Sequence, residues 1–259
     1  MSTPALLQGN RTATLTWSRV LCLSRPYQRV LCAPPRVGIC RVCRSFASAG
    51  GHGLCPSCRR LPVELDAVLP LSLSCGGGPL HRELRAYKDD RSEVVRDHCT
   101  LGLAAVLARF LAEHEACLTR AAQSTGFRLV TTVPSREPRA DESRARLREI
   151  VGRRCPATAG RFTRVLRAAG ADGPSHHYTP ARYCATVALE GLDVLLVDDT
   201  WTTGASAQAA ARALKAAGAH RVALVVIGRH VNPAWADHAL RIRGLSAFSW
   251  SSCARHAGV

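Results

Sequence analysis

The chain has 259 residues, of which 47% are hydrophobic and 5% aromatic; this is enough for one α/β domain with an aliphatic core and a small appendage, and global disorder is not expected. The net charge of +16 comes almost entirely from arginine, because Lys88 and Lys215 are the only lysines. Such a charge favours anionic partners such as phosphates, nucleotides or nucleic acid, although an arginine-rich genome would explain it equally well.

The cysteine content and the N-terminus indicate the compartment. Four of the twelve cysteines form two tight pairs and the others are scattered, whereas a disulfide scaffold would be a shorter and denser chain. The N-terminus lacks the pattern of a secretory signal, and no apolar run approaches the roughly 20 residues that cross a membrane. We therefore expect a reduced, cytoplasmic protein without membrane contact.

The chain divides into three predicted regions. Residues 1–36 show no sustained hydrophobic period and are interpreted as a flexible N-terminal tail without an assigned function. Residues 37–63 carry the cysteine pairs, and residues 64–259 carry the alternating apolar runs of an α/β domain.

The cysteine pairs have the spacing of a metal site. Cys40-x-x-Cys43 is followed after eleven residues by Cys55-x-x-Cys58, so each pair can place two thiolates on one tetrahedral ion. A short spacer without a core of its own needs the metal to fold. The four cysteines therefore predict a structural zinc knuckle; a pair of redox Cys-x-x-Cys motifs is the alternative.

The first part of the α/β domain shows helical periods separated by short apolar runs. In chain order, the predicted elements are an apolar stretch from Val68 to Leu73, a helical piece through Leu80, Leu84 and Tyr87, a long helix over 92–121 capped by Ser92, a strand from Leu129 to Val133 closed by Pro134, a helix from about Asp141 to Arg153 and a short helix from Phe162 to Ala169.

A βαβ unit follows. Val194 to Val197 is a continuous apolar run typical of a strand buried on both faces, and Asp198 to Ser206 is predicted to be a loop. A helix from Ala207 to Ala217 leads to a second buried strand from Val222 to Ile227. Consecutive strands joined by a helix predict a parallel sheet flanked by helices.

The loop of this unit carries groups suited to a ribose phosphate. Ligands of open α/β sheets bind at the carboxyl ends of the strands, where Asp198 and Asp199 lie. Two adjacent acids need hydrogen-bond donors or a cation, and the vicinal hydroxyls of a ribose are suitable donors. The following Thr202 to Ser206 supplies hydroxyls, a flexible glycine and the N-terminus of a helix, which together predict a phosphate site. An ordinary βα turn capped by Thr and Ser is the alternative.

The thirteen residues from Val194 to Ser206 resemble the fingerprint of type I phosphoribosyltransferases, in which an apolar strand and two acids precede a Thr-Thr-Gly-x-Ser/Thr loop that opens a helix. The resemblance implies an α/β phosphoribosyltransferase-like domain over 64–259 that binds 5-phosphoribosyl-1-pyrophosphate with Mg²⁺. Asp198 and Asp199 are then the catalytic acids that hold the ribose. The implied ligand-binding residues are Asp198, Asp199, Thr200, Thr202, Thr203, Gly204, Ala205 and Ser206.

A four-cysteine knuckle in front of such a domain resembles the competence protein ComF family, over roughly Cys40 to Pro233. The run from Leu84 to Lys88 is similar to a lysine-bearing segment of that family. Lys88, Ser135 and Arg136 are candidate pyrophosphate ligands, the last two because they follow the end of the Val133-Pro134 strand. A surface turn and a solvated helix end are the alternatives for these three residues.

The sequence thus predicts a protein that binds phosphoribosyl pyrophosphate with Mg²⁺ and transfers the phosphoribosyl group to an unknown acceptor. The alternative is a non-catalytic, ComF-like accessory factor that binds nucleotide or single-stranded DNA in DNA uptake or repair. A nucleic-acid contact is a minority interpretation, because no aromatic residues are interleaved with the arginines of the basic helix. Those arginines are Arg144, Arg146, Arg148, Arg153 and Arg154. A homodimer is left open.

Overall fold

The computed structural model describes residues 13–27, 29–34, 36–48, 52–135, 138–170, 177–235 and 237–255. Its helices are α1 (Trp17–Ser24), α2 (Pro56–Arg60), α3 (Pro79–Asp89), α4 (Glu93–Ala121), α5 (Ala145–Glu149), α6 (Ala205–Ala216) and α7 (His238–Arg243). Its strands are β1 (Val30–Leu31), β2 (Ala67–Cys75), β3 (Leu129–Thr132), β4 (Leu166–Ala168), β5 (Tyr183–Ala185), β6 (Asp193–Trp201) and β7 (Arg221–Val231).

The main sheet has the strand order β1-β2-β7-β6-β3 within the described residues. Strands β2, β7, β6 and β3 run parallel, and the short β1 pairs with β2 in the antiparallel direction. The predicted parallel sheet flanked by helices is therefore confirmed. Because the four parallel strands point the same way, their carboxyl ends meet at one edge, where a ligand site is expected.

Alternation along the central strands divides the core between two faces. On β6, Leu195 and Val197 pack into the cluster that contains α4, whereas Val194 and Leu196 pack into the cluster that contains α6. All four side chains are fully buried. The sheet is thus covered on both faces, which accounts for the continuous apolar runs in its strands.

Helix α4 begins where the sequence predicts. The Ser92 hydroxyl accepts a hydrogen bond from the Val95 N–H at 3.4 Å, which is the arrangement of an N-cap. Most of the central part of this helix is buried against the sheet. No helix in the described residues is long and apolar enough to cross a membrane.

The N-terminal region differs from the flexible tail that the sequence suggests. Helix α1 packs against α4, and its Val20 is fully buried in the core. The Tyr27 hydroxyl donates a hydrogen bond to Ser72 Oγ on β2 at 2.9 Å, and β1 extends the sheet. Residues 13–27 and 29–34 therefore belong to the domain, while residues 1–12 lie outside the described residues.

The helix predicted from Phe162 to Ala169 is wrong. Leu166 and Ala168 lie in β4, which pairs with β5 in an antiparallel two-stranded sheet. Both side chains are buried and Arg167 between them is exposed, a period of two that fits a strand. The helix predicted from Asp141 to Arg153 is present in mixed form, with a 3₁₀ turn over Pro138–Arg144 before α5 and a π turn over Ile150–Arg154 after it.

Candidate functional site

Two adjacent acids lie at the end of β6. The strand continues through them to Trp201, which pairs with Arg229 of β7, so the predicted loop is shorter than expected and covers only residues 202–204. Asp198 is 5% and Asp199 1% exposed. The two carboxylates are therefore held rigidly, by the sheet itself, at the carboxyl edge of the strands.

Two cations and a phenol surround these acids. Arg144 Nη1 lies 3.2 Å from Asp198 Oδ1 and 3.1 Å from Asp199 Oδ1. Lys88 Nζ forms an ion pair with Asp199 Oδ2, and the Tyr87 hydroxyl donates a hydrogen bond to the same oxygen. The acids are thus neutralised from two elements, α3 and the 3₁₀ turn that precedes α5.

The pKa values of the two acids are shifted in opposite directions. Burial raises the pKa of Asp198; Arg144 opposes this shift, and the neighbouring Asp199 adds to it. Burial acts in the same way on Asp199, but Lys88 and Arg144 together hold the pKa of Asp199 below its usual value. Burial also acts against the charge of Arg144, whose pKa is nevertheless raised by the two carboxylates. Asp199 is therefore the more firmly ionised member of the pair.

The turn between β6 and α6 depends on glycine. Gly204 has a φ of +96° at the start of α6, a conformation that residues with a side chain rarely adopt. A Cβ at this position would lie 2.2 Å from a carbon of the Trp201 indole ring. The indole ring thus packs against Gly204, and the first N–H group of the twelve-residue α6, that of Ala205, donates a hydrogen bond to Thr203 Oγ1 at 3.3 Å.

One cavity of about 270 Å³ joins these parts. It contains every residue that the sequence assigns to the ribose phosphate, together with Lys88. The lining residues are Lys88, Arg144, Asp198, Asp199, Thr200, Trp201, Thr202, Thr203, Gly204, Ala205, Ser206, Ala207, Leu224 and Val226.

The candidate pyrophosphate ligands after β3, Ser135 and Arg136, are not among the described residues that line this cavity. Ser135 does not line the cavity, and its backbone N–H donates to Asp141 Oδ1 at 3.3 Å. Arg136 lies outside the described residues. The cations that reach the acids are Lys88, a candidate pyrophosphate ligand in the sequence, and Arg144, which the sequence interpretation placed on the basic helix. Two buried adjacent acids require a counter-charge, which predicts a cation there but not the residue that supplies it.

The four predicted cysteine ligands come together. Cys40, Cys43, Cys55 and Cys58 are buried, and their sulfur atoms lie within 4.8 Å of one another. Cys55 caps the N-terminus of α2, where its sulfur accepts a hydrogen bond from the Cys58 N–H at 3.4 Å. Four soft sulfur donors in a compact group fit a structural metal such as zinc, with no position left for a substrate.

A buried arginine connects the cysteine cluster to the strand end that lines the smaller cavity. Burial acts against the charge of Arg229, but the Cys43 sulfur beside it raises the pKa of its guanidinium. The same side chain donates a hydrogen bond from Nη1 to the backbone oxygen of Trp201 at 3.1 Å. Arg229 thus bridges the cysteine cluster and the last residue of β6.

A second, larger cavity of about 1120 Å³ lies between the cysteine module, which is the region 37–63 around the four cysteines, and the turn that precedes α6. Thr202 and Thr203 line it on one side, and Phe46 and His52 line it on the other. Trp235 and other residues after β7 complete the wall. No motif in the sequence predicts this cavity, because its walls come from three distant segments.

No protein-family model, no curated protein and no solved structure matches this chain. The resemblance to phosphoribosyltransferases and to the ComF family therefore rests on the sequence motifs alone.

Proposed function

We propose that the protein binds 5-phosphoribosyl-1-pyrophosphate with Mg²⁺ and transfers the phosphoribosyl group to an acceptor, as a ComF-like member of the type I phosphoribosyltransferases. The observation that carries the proposal is the cavity of about 270 Å³, which combines two buried acids, two cations and a glycine turn at a helix N-terminus. The glycine turn, the acids and the cations would each bind a different part of the ligand.

The turn at 202–204 and the start of α6 would hold the 5-phosphate. The N-terminal N–H groups of a helix lack partners within the helix and carry a partial positive charge. Thr202, Thr203 and Ser206 add hydroxyl donors on the same side. Because Gly204 has no side chain, an anion can approach the backbone closely.

The two acids would hold the ribose. Its vicinal hydroxyls can donate to Asp198 and Asp199 in place of the present bonds from Arg144. Arg144 and Lys88 would then be free to pair with the pyrophosphate oxygens, which carry more charge than a ribose. Ligand binding on this proposal exchanges one set of ion pairs for another and leaves no buried charge without a partner.

Carboxylate oxygens are the protein ligands that Mg²⁺ prefers, so Asp198 or Asp199 fits a contact to its coordination shell. When bound, Mg²⁺ would neutralise the pyrophosphate that leaves. The chain itself contributes positioning and charge: the acids orient the ribose, and Lys88 and Arg144 stabilise the departing anion.

The cysteine cluster would hold one zinc ion with a structural role. A four-thiolate zinc site carries a net negative charge, and the buried guanidinium of Arg229 beside Cys43 balances part of it. Because Arg229 also bonds to the Trp201 backbone, the metal would stabilise the ribose phosphate turn as well as its own module.

The larger cavity shares the turn with the smaller one. Thr202 and Thr203 line both cavities, so a molecule in the larger one would lie next to the bound 5-phosphate. The ribose would lie at Asp198 and Asp199, neither of which lines the larger cavity, so this cavity of about 1120 Å³ does not bring an acceptor to the ribose.

The alternative is an accessory factor that binds nucleotide or single-stranded DNA without turnover. Four of the five arginines of the basic helix, all within the described residues, form ion pairs with acids of the chain, and only Arg153 is exposed. The four pairs are Arg144 with Asp198 and Asp199, Arg146 with Glu93 and Asp97, Arg148 with Asp141 and Glu142, and Arg154 with Glu149. This pairing reduces the charge available to a phosphate backbone and favours the enzyme.

Measurements of binding and of turnover together separate the two functions. Calorimetry should detect binding of phosphoribosyl pyrophosphate that requires Mg²⁺, and incubation with a panel of bases and amines should release pyrophosphate. Binding without pyrophosphate release by any acceptor, combined with salt-dependent binding of an oligonucleotide, would support the accessory factor instead. If the protein ignores the ligand with and without Mg²⁺, the proposed function is wrong.

A further inference from the structure

A second group of metal-binding side chains lies far along the chain from the four-cysteine cluster. His114 and Cys117 are on α4, and Cys253 comes from the segment that follows α7. One ligand atom from each lies within 4.8 Å of the other two. His114 is 2% exposed, Cys253 is fully buried and Cys117 is partly exposed.

The positions of the three residues are set by secondary structure and packing. His114 and Cys117 are three residues apart on one helix and therefore share a face. The segment that carries Cys253 is held against the same region, because Trp250 lies under the guanidinium of Arg109 at 4.1 Å and packs on Tyr27 at 5.9 Å between ring centres. The group thus joins the C-terminal part of α4 to the segment that follows α7.

The hydrogen bond of His114 favours the imidazole tautomer that can bind a metal through Nδ1. His114 Nε2 lies 2.6 Å from the backbone oxygen of Trp250, and a carbonyl oxygen only accepts, so Nε2 carries the proton and Nδ1 of the neutral ring carries a lone pair. A carbonyl that orients an imidazole in this way is the usual partner of a metal-binding histidine.

The Cys253 sulfur is also prepared for a negative charge. It accepts a hydrogen bond from the Arg255 N–H at 3.4 Å. The four-cysteine cluster shows the same feature at the same distance, where the Cys58 N–H donates to the Cys55 sulfur. Hydrogen bonds to a thiolate favour its ionised form, which is the form that binds a metal.

We propose that His114, Cys117 and Cys253 form a second zinc site, which fastens the C-terminal segment to α4. Two thiolates and one neutral imidazole balance the charge of Zn²⁺, so this buried site needs no additional cation. On binding, the two thiol protons pass to solvent. Cys117 is partly exposed, so water can take the fourth tetrahedral position.

A disulfide between Cys117 and Cys253 is the competing use of the same residues. It would involve two of the three side chains and would give no role to the imidazole that lies among them. The metal accounts for all three side chains and for the N–H donor at Cys253.

The test is the zinc content of the full chain, purified under reducing conditions without added metal and measured against protein concentration. The wild type should hold about two equivalents, one in each cluster. Cys253→Ser and Cys117→Ser should each halve the content. Cys99→Ser is the matched control, because Cys99 is also a partly exposed cysteine of α4 outside the group, and it should keep both ions.

Titration of metal-free wild-type protein with Co²⁺ is a second test, and it requires no variant that could fail to fold. Two equivalents should bind with the intense visible absorption of tetrahedral thiolate sites. The proposal is overturned if the wild type holds one equivalent that Cys253→Ser leaves unchanged. It is equally overturned if the intact mass of unreduced protein reveals a disulfide that links Cys117 to Cys253.

Discussion

The buried guanidinium of Arg229 donates a hydrogen bond to the backbone oxygen of Trp201 at 3.1 Å and lies against the sulfur of Cys43. Trp201 is the last residue of β6, and its indole ring packs against Gly204. Two side chains, those of Arg229 and Trp201, therefore connect the cysteine module to the turn at 202–204. The module and the turn form one structural unit.

Replacement of this arginine should weaken both parts of the unit. Arg229→Met leaves the cysteine sulfurs without their buried counter-charge, and removal of one partner of a buried pair costs about 3–5 kcal/mol. We expect a lower free energy of unfolding in urea and weaker binding of phosphoribosyl pyrophosphate. Arg212→Met is the control, because the Arg212 side chain is 54% exposed in its pair with Glu64, and it should change stability by less than about 1 kcal/mol.

Loss of a cysteine ligand should release metal. Cys40→Ser should lower the zinc content by about one equivalent and lower the Tm, because the binding free energy of a structural zinc is folding free energy. Cys22→Ser changes an exposed cysteine outside the cluster and should alter neither. Atomic emission analysis and thermal denaturation are the measurements, and a stable Cys40→Ser protein with full zinc content would contradict the assignment.

The two acids should each be needed for the ligand. Asp198→Asn and Asp199→Asn keep the shape of the side chain but remove a charge-assisted hydrogen bond to the ribose, worth about 1.5–3 kcal/mol. Calorimetry should show a roughly ten- to hundredfold loss of affinity for each variant. Glu142→Gln is the control, because the Glu142 side chain is 88% exposed. Unchanged affinity in both aspartate variants would remove the acids from the binding site.

The turn should tolerate the loss of hydroxyls better than the gain of a side chain. Gly204→Val must fit a Cβ against the Trp201 ring at a positive φ, so the phosphate donors shift and binding should be lost. Thr203→Val and Ser206→Ala leave the backbone N–H groups in place and should cost less. Gly160→Ala is the control, since a Cβ there meets nothing within 4 Å. Wild-type affinity in Gly204→Val would contradict the proposed site.

The ion pair of Lys88 should stabilise the fold in a pH-dependent way. Asp199 has a lowered pKa in the folded protein, so its stabilisation is present above the unfolded value of about 3.9 and is lost as the pH falls through the folded value. Lys88→Met should therefore lower the free energy of unfolding at neutral pH. The difference in this free energy between the variant and wild type should become smaller in acid. The loss should stay below the 3–5 kcal/mol of a fully buried pair, because Lys88 is 24% exposed.

Lys215→Met provides the matched control for this experiment. Lys215 is the other lysine of the chain, and its side chain, 33% exposed, pairs with Asp66. We expect a smaller loss at neutral pH. If the difference in free energy of unfolding between Lys88→Met and wild type became larger in acid, this would contradict the pairing of Lys88 with ionised Asp199.

Local patterns in the sequence were enough to predict the centre of the fold. The apolar runs of β6 and β7 are typical of buried strands, and the motif between them predicts the turn, the acids and the start of a helix within a few residues. The cysteine spacing likewise predicts the four-sulfur cluster that the structure contains. These parts are predictable because their partners lie nearby in sequence.

The parts that were missed depend on contacts between distant segments. Nothing in the sequence around Arg144 shows that it reaches Asp198, and nothing around Trp17–Ser24 shows that this helix packs on α4. The β4 strand was read as a helix because its short run of residues gains regular structure only through pairing with β5. In each case tertiary contacts decide what the local sequence leaves open.

The position of β2 has a consequence for how the protein is made. This strand is synthesised early and is almost entirely buried, yet its parallel neighbour in the sheet is β7, which leaves the ribosome near the end of translation. Until then β2 has an apolar surface and an unpaired edge, the combination that promotes aggregation. Such a long-range pairing also slows folding. Premature termination before residue 221 would therefore leave a sheet without its centre, and a nascent chain of this kind is a natural client for a chaperone.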